Sequence, residues 1–227
     1  MVAPVGSWRH AVGTITDVDG ARVVLVAAER LAGWLARFED RHGASSTTVT
    51  RSALALSAPD GAGAVVEVPF PPFLGPAEPQ AVVAHVLLER TVGALLVRRG
   101  GYAVGWFEGR RLAGSKVGSA YVQGTTKAGG WSQQRYARRR ANQTRDAYAE
   151  AADVAATVLL PHAGDLVAVV GGGDAAGVQA VLADPRLTPL RTLLQPRVLP
   201  TPDPRLRVLQ AFGDQLREVR ITLNALA

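Results

Sequence analysis

Six consecutive residues, Gly129-Gly130-Trp131-Ser132-Gln133-Gln134, bring together groups that could do chemistry. Paired glycines let a backbone approach a substrate closely. A Gln side chain carries a donor and an acceptor and does not titrate. It can orient a water molecule but is a poor general base. Chemistry that needs only an oriented water, on an ester already activated, suits it. Ser132 offers a hydroxyl oxygen that can cap the helix expected to follow. The plainer reading of the same residues is a flexible turn ahead of a helix.

The surroundings are basic. Between Gly109 and Arg145 there are nine Lys/Arg and no Asp or Glu. The whole chain carries +6, so the remainder holds 16 basic against 19 acidic residues, a balance of −3. Charge gathered this way is the footprint of a phosphate-bearing partner, because neutralising phosphates releases condensed counterions. The candidate nucleic-acid contacts are Lys116, Lys127, Arg135, Arg138, Arg139, Arg140 and Arg145. Cations in the first turns of a helix oppose its macrodipole by about 0.3–1 kcal/mol each. An anionic partner explains such a run better than a merely solvated face does.

Other constellations are weaker. His10, His42, His85 and His162 are scattered without ligand spacing, and there is no Cys, so no metal site or disulfide is expected. No G-x-S-x-G elbow occurs. Val170-Gly171-Gly172-Gly173-Asp174 stands between an expected strand and an expected helix. It reads as a tight turn with Asp174 as N-cap, and alternatively as a phosphate cradle. Asp146, Glu150 and Asp153 share a helical neighbourhood and could serve a metal-dependent nuclease, although a solvated face is the simpler account.

The elements that must position these residues follow from pattern. Ile15–Val18 and Arg22–Val26 flank Asp19-Gly20, a hairpin signal. Leu31, Trp34, Leu35 and Phe38 mark a helix over 27–42, stopped by Gly43. Strands are expected over 47–57 and 64–70. A connector follows with five prolines from Pro69 to Pro79, where a boundary at residue 80 is expected. Val92–Val97, Tyr102–Phe107 and Leu112–Val117 predict an antiparallel meander. From Gln133 to Leu160 neither Pro nor Gly occurs, which predicts one long helix of roughly 40 Å. Strands at 166–170, 190–194 and 218–223 and helices at 175–183 and 205–212 complete an α+β chain with a mixed sheet. Neither a membrane span nor a signal peptide is visible, so a cytoplasmic protein is expected.

Gly130-Trp131-Ser132-Gln133 after a polar basic loop, then a helix bearing R-x-x-R-R-R-x-N-Q from Arg135, resembles the Vms-like release factor (VLRF) family and in particular its actinobacterial branch. That domain is similar to the catalytic domain of eukaryotic and archaeal peptide-chain release factors, whose loop carries Gly-Gly-Gln. The resemblance covers about 91–223. It implies a modified ribonuclease-H-like, release-factor catalytic-domain-like fold over 81–227, with residues 1–80 as an additional N-terminal α/β portion. It implies a ribosome-associated peptidyl-tRNA hydrolase that frees nascent chains from stalled complexes. The partners would be the large ribosomal subunit, rRNA and peptidyl-tRNA, with no cofactor, metal or membrane. Gln133 would be the catalytic residue and Gly129, Gly130 and Ser132 would shape the loop. The sequence departs from the release-factor pattern because Trp131-Ser132 separates Gly-Gly from Gln, which leaves Gln134 as a rival. A non-catalytic RNA-binding protein is the alternative.

Overall fold

The structure is a computed structural model that describes residues 21–99, 101–119 and 131–227, with residues 131–141 described by their backbone only. In chain order the first elements are β1 (Arg22–Val26), α1 (Leu31–His42), β2 (Ser46–Val49), β3 (Ala53–Ser57), β4 (Gly63–Glu67) and α2 (Pro79–Leu87). Next come β5 (Thr91–Arg98), β6 (Gly101–Glu108), β7 (Arg111–Ser119), α3 (Trp131–Leu159) and β8 (Ala168–Gly173). The last are α4 (Ala175–Leu182), α5 (Thr188–Thr192), α6 (Leu206–Gln215) and β9 (Val219–Leu223). The expected α+β class with a mixed sheet is what forms.

The chain divides into two compact units, one ending at Leu88 and resuming at Arg217, the other spanning Glu89–Leu216. In the first, five antiparallel strands lie in the order β1-β9-β4-β3-β2. α1 turns Leu31, Leu35 and Phe38 into a core shared with Leu54, Val66 and Ile221. It ends where expected, at Gly43, whose φ of 87° is costly for any residue with a Cβ. Asp60 shapes the β3–β4 turn: its Oδ1 accepts the Ala62 amide at 2.9 Å, and its Oδ2 lies 2.8 Å from His42 Nδ1.

Three expectations change in this unit. The single strand over 47–57 is a hairpin, because Thr50 Oγ1 accepts the amides of Ser52 and Ala53 at 3.3 and 3.0 Å and turns the chain. A helix, α2, follows the proline-rich connector; Pro79 starts it, having no amide to leave unpaired, and Val82 and Val86 are buried. The break falls after Leu88, and the final strand, expected with the second part, pairs between β1 and β4.

The second unit has the expected meander. Its sheet runs β7-β6-β5-β8, with β8 parallel to β5. A parallel return needs a crossover, and α3 supplies it. Leu95, Val97 and Val104 pack against Ala151, Ala155 and Leu159 of α3 and Val178 and Val181 of α4. The strand expected over 190–194 is mostly the short helix α5; one bridge, Val169 to Leu194, is all that pairs there. Pro189 in the first turn of α5 favours helix over a ladder position.

Candidate functional site

The glycine-and-glutamine stretch enters α3. The helix already includes Trp131, so Ser132 lies in its first turn and is not its N-cap. Going backward from the helix body, Gly130 is the first residue that disfavours helix, and nothing before it stops propagation. Gln133 and Gln134 therefore both sit among the free amides of the first turn, about 100° apart around the axis. Gly129, Gly130 and Lys127 lie outside the described residues.

α3 is divided by how it is used. Among the described side chains its contributions to the core run from Tyr148 to Leu159, with Ala151, Ala155 and Leu159 fully buried. Before Tyr148 come 17 residues, 131–147, about 25 Å of helix at 1.5 Å each. That stretch holds Arg135, Arg138, Arg139, Arg140 and Arg145. Arg145 is exposed and donates from Nη2 to Asn142 Oδ1 at 2.7 Å, one turn back. Lys116 is exposed on β7, opposite Val104 and so on the sheet face that α3 covers.

The basic segment is not electrically uniform. Arg110 donates to Asp214 at 2.9 Å and Arg111 pairs with Glu108. These two cations at the β6–β7 turn are neutralised by acids outside the segment, distant in sequence in one case. Of the other cations in the segment, Lys116 lies on β7 and Arg135, Arg138, Arg139, Arg140 and Arg145 lie on α3.

Sequence reading missed a tie between the sheet and α3. The Tyr102 hydroxyl donates to Glu150 Oε1 at 2.8 Å. Burial, then the bond to and charge of Glu150, push the phenol up to about 12. Tyr102 stands opposite Gly118, and a Cβ on Gly118 would fall inside the Tyr102 ring. One side chain thus fixes the end of β7 and the body of α3, on either side of residues 120–130. Nothing in the sequence marks Gly118 until the register is known. A second aromatic contact, Trp106 on His162 with ring centroids 4.0 Å apart, fastens the other end of α3.

The remaining candidates resolve into structural roles. Asp174 Oδ1 accepts the Ala176 amide at 3.1 Å, so it caps α4 and occupies the helix end that a phosphate would need. Gly171 to Gly173 belong to β8, and not to a loop. Glu150 is engaged by Tyr102, and Asp153 by Arg186 at 2.7 Å. Among the described residues no group of three His, Asp or Glu converges on a metal-sized site. None of the described helices is long and apolar enough to cross a membrane.

No curated protein matches the sequence. Among solved structures, the chain is similar to the archaeal translation termination factor aRF1, at 15% identity and a TM-score of 0.42, covering 71% of this chain and 51% of that one. It is also similar to a structure described only as an archaeal protein, at 15% identity and a TM-score of 0.36, covering 71% and 52%. The chain thus spans about half the length of the structures it matches. The family model of the Actinobacteria/chloroflexi VLRF1 release factor matches residues 90–222, more than half of the chain, and the protein belongs to that family.

Proposed function

We propose that this protein is a ribosome-associated peptidyl-tRNA hydrolase that frees nascent chains from stalled complexes in the cytoplasm. Membership of a release-factor family supports this reading. The observation that carries it is the form of α3: about 25 Å of basic helix precedes the part that packs in the core, with Gln133 at its start. Such a helix suits delivery of a small polar group into a narrow, phosphate-lined cavity. In this reading the fold of the second unit is the release-factor catalytic type, a modified ribonuclease-H-like arrangement, and catalysis belongs to the stretch after residue 81.

Gln133 positions a water molecule on the ester that joins peptide to tRNA. The water oxygen attacks the carbonyl carbon, the bond to the ribose oxygen breaks, and peptide acid and tRNA hydroxyl leave. In the alternative, Gln133 orients a ribose 2′-hydroxyl near the CCA end; its oxygen attacks the adjacent phosphorus, a 2′,3′-cyclic phosphate forms, and the 5′-oxygen of the next nucleotide leaves as a hydroxyl, so the tRNA end is cut with the peptide still attached. Lys116, Lys127, Arg135, Arg138, Arg139, Arg140 and Arg145 hold rRNA or tRNA phosphates of the large subunit. Gly129 and Gly130 give the loop its close approach, and no cofactor is required.

Single-turnover peptide release on stalled ribosome–nascent-chain complexes tests the reading. Gln133→Ala should slow release on the order of 100-fold, as removal of a positioning group can, while co-sedimentation with ribosomes persists. Gln134→Ala should remain active, since the two residues stand about 100° apart around the helix axis. The reverse result moves the catalytic assignment by one residue. Full activity in both variants leaves a non-catalytic RNA-binding protein.

A further inference from the structure

The face of α3 toward α4 carries a groove of about 650 Å³ that the proposed chemistry does not use. Its walls come from the second unit alone. Ala149 on α3, Ala180 on α4 and Ala183 at the C-terminal cap of α4 line it, and all three are exposed. The exposed alanines are not required by the core, and their methyls keep the slot open. Tyr148 forms one side, and Arg145 stands on the rim. The acid on the rim, Asp184, is already satisfied: it takes Nε and Nη2 of Arg186 at 3.0 and 2.7 Å and the Arg186 amide at 2.9 Å. Arg145 has no carboxylate partner within the groove; its side chain bonds to Asn142.

A slot floored by methyl groups beside an aromatic ring accepts a planar apolar body. A cation on its rim adds an anion to that body. Arg138 stands seven residues before Arg145, two helical turns away and on the same face of α3. A chain whose flat units alternate with phosphates meets all three features at once. We propose that the α3–α4 groove seats a nucleotide of single-stranded RNA, with its base over the alanines beside Tyr148 and its phosphate on Arg145. An apolar protein helix would fill the methyl floor but leave the rim cation without a counter-charge. The proposal rests on the RNA-contacting part of the functional reading and is independent of catalysis by Gln133.

The test is equilibrium binding of the full chain to a short, labelled single-stranded oligoribonucleotide of mixed sequence. Ala180→Leu closes the slot without adding charge, and Ala149→Glu places a carboxylate in it. Both should weaken binding about tenfold, the size expected from removing one base-stacking interaction of roughly 1–3 kcal/mol. Ala180→Ser, which leaves the slot open, should bind as the native chain does. Thermal melts confirm that each variant folds; since both sites are exposed on helices, folding is expected. Arg145→Ala is the reference for the RNA reading itself. Native-like binding by Ala180→Leu and Ala149→Glu, with binding weakened by Arg145→Ala, overturns the groove proposal and leaves the RNA reading standing. Native-like binding in all of these variants overturns both. Native-like oligonucleotide binding by Ala180→Leu and Ala149→Glu, with weakened binding by Arg145→Ala and lost co-sedimentation of the two groove variants on ribosomes, overturns the proposal in favour of a protein partner in the groove.

Discussion

At the scale of single residues, the telling positions are those where one side chain occupies the space another would need. Tyr102 lies over Gly118, and its hydroxyl is the donor that Glu150 uses. Gly118→Ala should displace the ring and destabilise the protein by about 1–3 kcal/mol, as overpacking does. Tyr102→Phe keeps the ring and removes a bond to a charged acceptor, with an expected destabilisation of about 1.5–3 kcal/mol. Urea unfolding of both variants checks the order of effects; an unchanged midpoint for Gly118→Ala would refute the account of the glycine. Arg186 is the second such residue, because it joins Asp184 to Asp153 of α3. Its bonds hold the Asp184 carboxyl down at about 2, from an ordinary 3.8. A carboxyl depressed by folding lends stability that is present above 3.8 and is lost as the pH falls through about 2. In Arg186→Ala the Asp184 titration, followed by NMR, should return toward 3.8. Residue identity makes some of this legible in advance: Asp174 reads as a cap because it stands alone between a strand pattern and a helix pattern. Ser132 misleads for the same reason that capping serines are usually recognised. Trp131 ahead of it suits either loop or helix, and the backbone makes it helix.

At the scale of elements, α3 performs two tasks with one periodicity. Its second half is Ala-rich on the packed face, which lets it lie close to β6 and α4. Its first half carries cations that a free helix would tolerate poorly near its N-terminus. Replacing Arg138, Arg139 and Arg140 together by Ala should leave the core intact, since among the described side chains the helix contributes to it from Tyr148 onward. RNA affinity should fall, and the slope of its logarithm against the logarithm of salt concentration should drop by roughly 0.7–0.9 for each phosphate no longer neutralised. An unchanged slope would mean that these arginines do not face phosphates. The existence of α3 and of the β5–β6–β7 meander is legible because each rests on a local pattern, unbroken helix in one case and alternation between turns in the other. The groove between α3 and α4 is not, because the alanines that make it are separated by some thirty positions and gain meaning only when two helices meet. α2 is hidden by its own start: the proline that opens it closes a run of prolines that reads as a connector.

At the scale of the whole molecule, the chain leaves its first unit at Leu88 and returns to it at Arg217. β9 brings Val219 and Ile221 into the first core and pairs on both sides, with β1 and with β4. Alternation along a strand says which residues face inward but not which strand lies alongside, so this return is invisible in the sequence. The family match, residues 90–222, runs through nearly all of β9 and so includes a strand of the first unit's sheet. Deleting residues 217–227 should separate β1 from β4 and leave the first unit susceptible to protease, while Glu89–Leu216 keeps its protection; hydrogen exchange on the truncated chain would reveal the difference, and equal protection in both units would contradict it. The same return sets the order in which the protein can be made. Domains generally fold from the N-terminus as synthesis proceeds, yet here the sheet of the first unit lacks an inner strand until β9 is translated. The second unit, continuous in sequence, can close first. The first waits, with β4 unpaired on one side, until β9 has left the ribosome.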